Sequence, residues 1–145
     1  MMQKDNRTIA FVCTGYTCRS PMAEAIFNDM AEKNGVCGRA ESFGIATSTG
    51  LPVSENSVIA CKEIGIDLSG KASTAVADAG IEKYEKFYCM SQSHAKMLMQ
   101  FFLVQPEKIA VLGISDPYGG DIEVYRHCRD EIVNSVKEIL KAYEN

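Results

Sequence analysis

No part of the chain carries enough lysine or arginine to track a polynucleotide backbone. Its 145 residues hold 15 basic and 19 acidic side chains, a formal net charge of −4. Without a basic stripe to neutralise successive phosphates, a nucleic-acid role is excluded. Long hydrophobic runs are also missing, so no segment reads as a membrane span. The opening Met1-Met2-Gln3-Lys4-Asp5-Asn6-Arg7 is polar and lacks the apolar centre of a signal peptide. The expectation is a cytoplasmic protein with residues 1–7 as a flexible N-terminus. There is no C-x-x-C pair among the six cysteines, and neither histidine, His94 or His127, stands at metal-ligand spacing from them. A metal site is therefore not expected. The chain is too large and too signal-free for a disulfide scaffold, so Cys37, Cys61, Cys89 and Cys128 read as small core or loop residues. Repeats, low-complexity tracts and linkers are absent too. With 46% hydrophobic residues the chain can bury one ample core, and residues 1–145 read as one domain.

What is present centres on Thr8 to Pro21. Ile9 to Val12 is a short apolar run with β-branched and aromatic members, suited to a strand buried on both faces of a parallel sheet. Ser20-Pro21 reads as an N-cap and first-turn proline, followed by Met22, Ile26 and Met30 on one helical row and Ala23 and Phe27 beside it. The intervening segment is then a strand-to-helix turn. Its unpaired N–H groups and the positive end of the helix dipole form an anion site, with Gly15 permitting the curvature. Thr14, Gly15, Tyr16, Thr17, Cys18, Arg19 and Ser20 are the expected phosphate-binding residues. Inside that ring the pKa of Cys13 should fall, making it a nucleophile near neutral pH. Arg19 offers a planar fork for two phosphoryl oxygens, and Ser20 can donate its hydroxyl to the sulfur.

Further strands are predicted over Ala40 to Ala46, Phe87 to Met90 and Lys108 to Ile114, and helices over Ser54 to Ile64, Ser73 to Ala79, Ser91 or Ser93 to Phe102, and Ile122 to Tyr143. On the last helix Tyr125, Cys128, Ile132, Val136 and Ile139 form an apolar stripe. Met97 and Met99 read as core filling. Thr47 to Pro52 reads as a polar loop, either bordering the site or simply a solvated connector. Alternating strands and helices imply parallel strands with ligands at their carboxyl edge. Cys13 and Asp116 both fall on that edge. Asp116, held by the Pro117 turn, is therefore a candidate general acid.

Cys13 to Ser20 with Pro21-Met22-Ala23-Glu24, and the late Asp116-Pro117-Tyr118, resemble the low-molecular-weight protein tyrosine phosphatases. The resemblance extends to Ser42 and Gly44, Gly65-Ile66-Asp67, and Tyr125 with Arg129-Asp130. It implies a single three-layer α/β domain, a four-stranded parallel sheet with helices on both faces. It also implies no cofactor and phosphorylated proteins as partners; the chain is expected to be a monomer or weak dimer. In such an enzyme Cys13 attacks phosphorus, Arg19 and the loop amides hold the transferring group, and Asp116 protonates the leaving atom, then activates water. Tyr118 would stack on the substrate at the mouth, which Tyr16 and Thr17 also line. Thr17 and Gly119-Gly120 resemble the family's phosphoarginine branch, because a small polar wall leaves room for a guanidinium; phosphotyrosine is the alternative substrate.

Two positions depart from the family pattern. Tyr16 stands where the family has an asparagine, and Lys71 where it has a histidine, while Ser42 is kept. Losing two members of one network together implies a loop braced in another way. Cys18 is placed to form a reversible disulfide that shields Cys13, or is a plain loop residue. The rival readings are an arsenate reductase, which needs two more cysteines where Phe87 to Met99 holds only Cys89, and a phosphate-binding module with impaired catalysis.

Overall fold

The structure, a computed structural model, describes residues 8–15 and 19–143. Four strands form one sheet: β1 (Thr8–Cys13), β2 (Arg39–Gly44), β3 (Lys86–Cys89) and β4 (Ile109–Val111). Their order is β2-β1-β3-β4 and every pairing is parallel. Helices α1 (Arg19–Lys33), α2 (Glu55–Lys62), α3 (Val76–Ala79), α4 (Gln92–Phe101) and α5 (Ile122–Lys141) supply the crossovers and outer layers. The expected three-layer architecture is what the chain adopts.

Strand β1 lies inside the sheet and is buried on both faces, which explains its uninterrupted apolar run. Ile9, Phe11 and Cys13 point into a core with Met22, Ile26 and Phe27 of α1, Cys61 of α2, and Cys128, Ile132 and Val136 of α5. Ala10 and Val12 point the other way, into a second core with Phe43, Tyr84, Phe87, Cys89 and, from α4, Ala95 and Leu98. The stripe expected on α5 is buried throughout. Arg129 ties α5 to the end of α2, donating from Nη1 to the Ala60 carbonyl at 2.9 Å and to Glu63 at 2.8 Å.

Several boundaries differ from expectation. Strand β4 stops at Val111 because Gly113 turns into the left-handed region at φ 72°. The following chain still bonds along β3, with Ile114 N–H donating to the Met90 carbonyl at 2.9 Å. Only Val76–Ala79 of the helix expected from Ser73 is helical. Ser73 and Thr74 are engaged elsewhere: Ser73 N–H donates to the Leu51 carbonyl at 2.7 Å, and Gly44 N–H to the Thr74 carbonyl at 2.9 Å. Helix α1 begins at Arg19, so Ser20 is a first-turn residue rather than the cap. Ile64 lies beyond the end of α2 and is exposed, as is Met97 on α4. Residues 1–7, expected to be flexible, lie outside the described residues.

The end of β1 crosses unusually close to its neighbours. A Cβ on Gly44 would sit 2.8 Å from both the Gly15 Cα and the Thr47 Cγ2. Backbone cannot yield as a side-chain tip can, so Gly44→Ala should lower stability by about 1–3 kcal/mol, the usual scale of overpacking. Urea denaturation would show this as a lower midpoint with an unchanged slope.

Candidate active site

The turn after β1 brings together groups that are distant in sequence. Cys13 ends β1 at 3% exposure, and its Sγ lies 2.9 Å from the Ser20 Oγ. Arg19 opens α1 and is 6% exposed. Its Nη1 donates to the Ile114 carbonyl at 2.8 Å, and its Nη2 lies 3.8 Å from the Asp116 Oδ2. The guanidinium is thus fixed by the chain that continues from β4, and its orientation is set before any ligand arrives. Asp116 is half exposed. Its Oδ1 accepts the Tyr118 N–H at 3.0 Å, an Asx turn that holds the carboxylate at the sheet edge. Tyr118 is 64% exposed beside it. Gly119 at φ 84° completes the turn into α5, whose N-cap Asp121 accepts the Val124 N–H.

Cys13, Arg19, Ser20 and Asp116 therefore converge as expected, with Thr14 and Gly15 on the same loop and Tyr118 at its rim. Tyr16, Thr17 and Cys18 lie outside the described residues, and with them the phosphate-binding, mouth and redox-shield expectations at those positions. Thr47 of the polar loop packs against Gly15, so that loop borders the site rather than standing free of it. Among the described residues no cluster of His, Cys, Asp or Glu could hold a metal ion, and no helix is long and apolar enough to cross a membrane.

Two supporting groups went unrecognised in the sequence. Glu24, in the second turn of α1, accepts the Ser42 hydroxyl at 2.7 Å and pairs with the Lys71 ammonium. This triad joins α1, β2 and the segment after α2, and it gives Lys71 a charged partner on the helix that follows the loop. Glu24 was visible only as part of the Pro21-to-Glu24 motif, and its partners are 18 and 47 residues away. The second group is His94, in the first turn of α4 and 3% exposed. Its Nδ1 accepts the Ser91 N–H at 3.1 Å, and its Nε2 lies 2.9 Å from the Thr14 Oγ1. The Ser91-x-x-His94 spacing, which resembles a capping box, was the available signal. Burial, then the charge of Arg19, pushes the His94 pKa from 6.5 down to about 4, with Asp116 opposing.

A cysteine at a strand end, an arginine opening the next helix and an acid beside that arginine place the site at the carboxyl edge of a parallel α/β sheet. Residues 8–145 match the family of low molecular weight phosphotyrosine protein phosphatases. The chain belongs to that family. Two relatives are protein-arginine-phosphatases: one from Geobacillus stearothermophilus, 34% identical over 92% of this chain and 93% of its own, and one from Bacillus subtilis, 31% identical over 92% and 94%. An arsenate reductase from Brevibacillus brevis is 30% identical over 97% and 99%. The low molecular weight protein tyrosine phosphatase from T. tengcongensis superposes with a TM-score of 0.88 at 31% identity, covering 94% of this chain and 99% of that one.

Two outcomes follow from the supporting groups. Lys71→Met strands the carboxylate of Glu24, whose side chain is only 13% exposed. The expected loss is about 1–3 kcal/mol, below the ~3–5 of a fully buried broken pair because Lys71 is a third exposed. Chemical denaturation should show most of it recovered in the Lys71→Met/Glu24→Gln double variant. His94 has a depressed folded pKa, so the unfolded chain takes up its proton first on acidification. Its contribution is complete above about 6.5 and lost as pH falls toward about 4. The urea midpoint should decline through that window, and less steeply in His94→Asn.

Proposed function

We propose that the chain is a single-domain, cytoplasmic, cofactor-independent phosphatase that hydrolyses phosphorylated protein side chains through a phosphocysteine intermediate, with phosphoarginine as the preferred substrate. The observation that carries this reading is the clasp on Arg19, fixed between the Ile114 carbonyl and Asp116 next to the Cys13–Ser20 contact. A guanidinium already oriented for two phosphoryl oxygens stabilises charge in the transition state without reorganising.

In the first step the Cys13 thiolate attacks phosphorus in line, and the bond from phosphorus to the side-chain nitrogen or oxygen breaks. Asp116 gives its proton to the departing atom while Arg19 and the loop amides hold the equatorial oxygens. Ser20, 2.9 Å from the sulfur, stabilises Cys13 as an anion on attack and again as the leaving group. In the second step Asp116 takes a proton from water, which attacks the phosphocysteine and releases phosphate and thiolate. Asp116 must turn from Arg19 toward the leaving atom, and its half-exposed carboxyl group has the freedom to do so. Tyr118 at the rim would stack on the substrate. The arginine preference is supported by Thr17, whose short polar side chain suits a guanidinium, and by the two arginine phosphatase relatives.

Arsenate reduction fits less well. Cys89 faces the second core, on the side of the sheet opposite Cys13, and burial pushes its thiol up to about 12. A relay disulfide between the two would require the strands to rearrange.

The deciding assay offers phosphoarginine and phosphotyrosine peptides side by side. Wild type should favour phosphoarginine, and Thr17→Ile should shift the ratio toward phosphotyrosine; an unchanged ratio would remove Thr17 as the selector. Cys13→Ser should abolish turnover of both, together with that of a generic aryl phosphate. Asp116→Asn should slow substrates with poor leaving groups by roughly 10²–10⁴-fold. If wild type binds phosphopeptide without turnover, the protein is a binding module instead.

A further inference from the structure

His94 belongs to a different crossover from the anion loop, yet its imidazole reaches the residue that follows the expected nucleophile. The Ser91 backbone N–H can only donate, so Nδ1 of His94 is the acceptor and the ring proton of the neutral form resides on Nε2. Nε2–H therefore donates to the Thr14 Oγ1 at 2.9 Å, across 80 residues of sequence. Thr14 is held on its other side as well, since its carbonyl accepts the Ala46 N–H at 2.8 Å. Both the side chain and the carbonyl of the first loop residue are thus anchored to elements outside the loop.

Resting on the phosphatase reading, we propose that His94 is a positioning residue: through its hydrogen bond to Thr14 it fixes the orientation of the peptide that follows Cys13, so that this peptide is in place before a phosphoryl group arrives. The preference of a buried imidazole for its neutral form suits this task. A neutral ring keeps Nδ1 available to Ser91, whereas an imidazolium would set two donors face to face. The anchor also has leverage, because Ser91 starts α4 directly after β3, whose Cys89 pairs with Val12 of β1. The two crossovers are therefore in fixed register before His94 spans them. Displacing a reacting group by about an ångström can cost roughly 10²-fold in rate, so a bond that fixes the first loop peptide has a measurable kinetic effect.

The test removes the bond from each end separately. Thr14→Val keeps the β-branched shape and deletes the hydroxyl, Thr14→Ser keeps the hydroxyl, and His94→Asn keeps an acceptor for Ser91 but withdraws from Thr14. Binding of inorganic phosphate by titration calorimetry, kcat and KM on an aryl phosphate, and the rate of Cys13 alkylation by iodoacetate would be measured for each. Thr14→Val and His94→Asn should each weaken phosphate binding and lower kcat/KM by roughly 10- to 100-fold. The double variant should be no worse than the more damaged single one, and Thr14→Ser, which keeps the hydroxyl, should lose clearly less than Thr14→Val. Losses that multiply in the double variant, or a Thr14→Val protein with wild-type phosphate affinity and kcat, would overturn the proposal. Should His94→Asn fail to fold, the Thr14 pair still decides. Phosphate affinity does not depend on turnover, so a protein that binds phosphate through this anchor but hydrolyses nothing would fail the phosphatase reading alone.

Discussion

Everything at this site depends on holding a guanidinium still. Arg19 is almost fully buried although it carries a permanent charge, and a buried charge without partners would be costly. Its partners come from the far side of the sheet, 95 residues away at Ile114 and 97 away at Asp116. The architecture supplies that contact: parallel strands place the ends of β1 and β4 on one edge, and Gly113 turns the chain after β4 so that a carbonyl and a carboxylate face the start of α1. The same few residues close the domain and orient its charge, so losing the sheet order would mean losing the site.

Support around the loop is distributed rather than local. Glu24 with Ser42 and Lys71 anchors the first turns of α1 to β2, and His94 anchors Thr14 to the start of α4. Gly15 and Gly44 allow the loop and β2 to meet at backbone contact, with Thr47 packed into the junction. Charge pairing, a neutral hydrogen bond and the absence of a side chain are three different physical devices, and each brings another element of the fold to the same turn. Where Thr14 and Gly15 are held this way, they have little freedom left to lose, which lowers the entropic cost of any contact made there.

How much of this could be read in the sequence follows from the range of each interaction. The β1 run and the helix after it were legible because their periodicities are local, and the α5 stripe was legible for the same reason. Cys13, Arg19 and Ser20 could be grouped because they share one local strand-to-helix motif, and Asp116 joins them because parallel strands place their carboxyl ends on one edge. The helix expected at Ser73 failed because tertiary pairing with Leu51 and Gly44 outweighed a local start signal, and the β4 boundary moved because Gly113 could serve either a strand or a turn. Glu24 and His94 were not assigned roles because polar partners 18 to 80 residues apart leave no periodic trace. Lys71 was noticed only as a departure; its partner Glu24 became visible once the chain was folded.

The alternation of β1 has one more consequence. Neighbouring residues on a strand face opposite sides, so Cys13 and Cys89 belong to separate cores although their strands are hydrogen-bonded. The sheet acts as an insulator between two thiols. Oxidative damage or metal capture at Cys89 has no short route to the sulfur at the end of β1, and the reverse is equally true. A descendant of this chain seeking thiol exchange across the sheet would have to shift register by one residue, which would turn a whole strand inside out. The pleat thus constrains which chemistries can evolve from this scaffold by single substitutions.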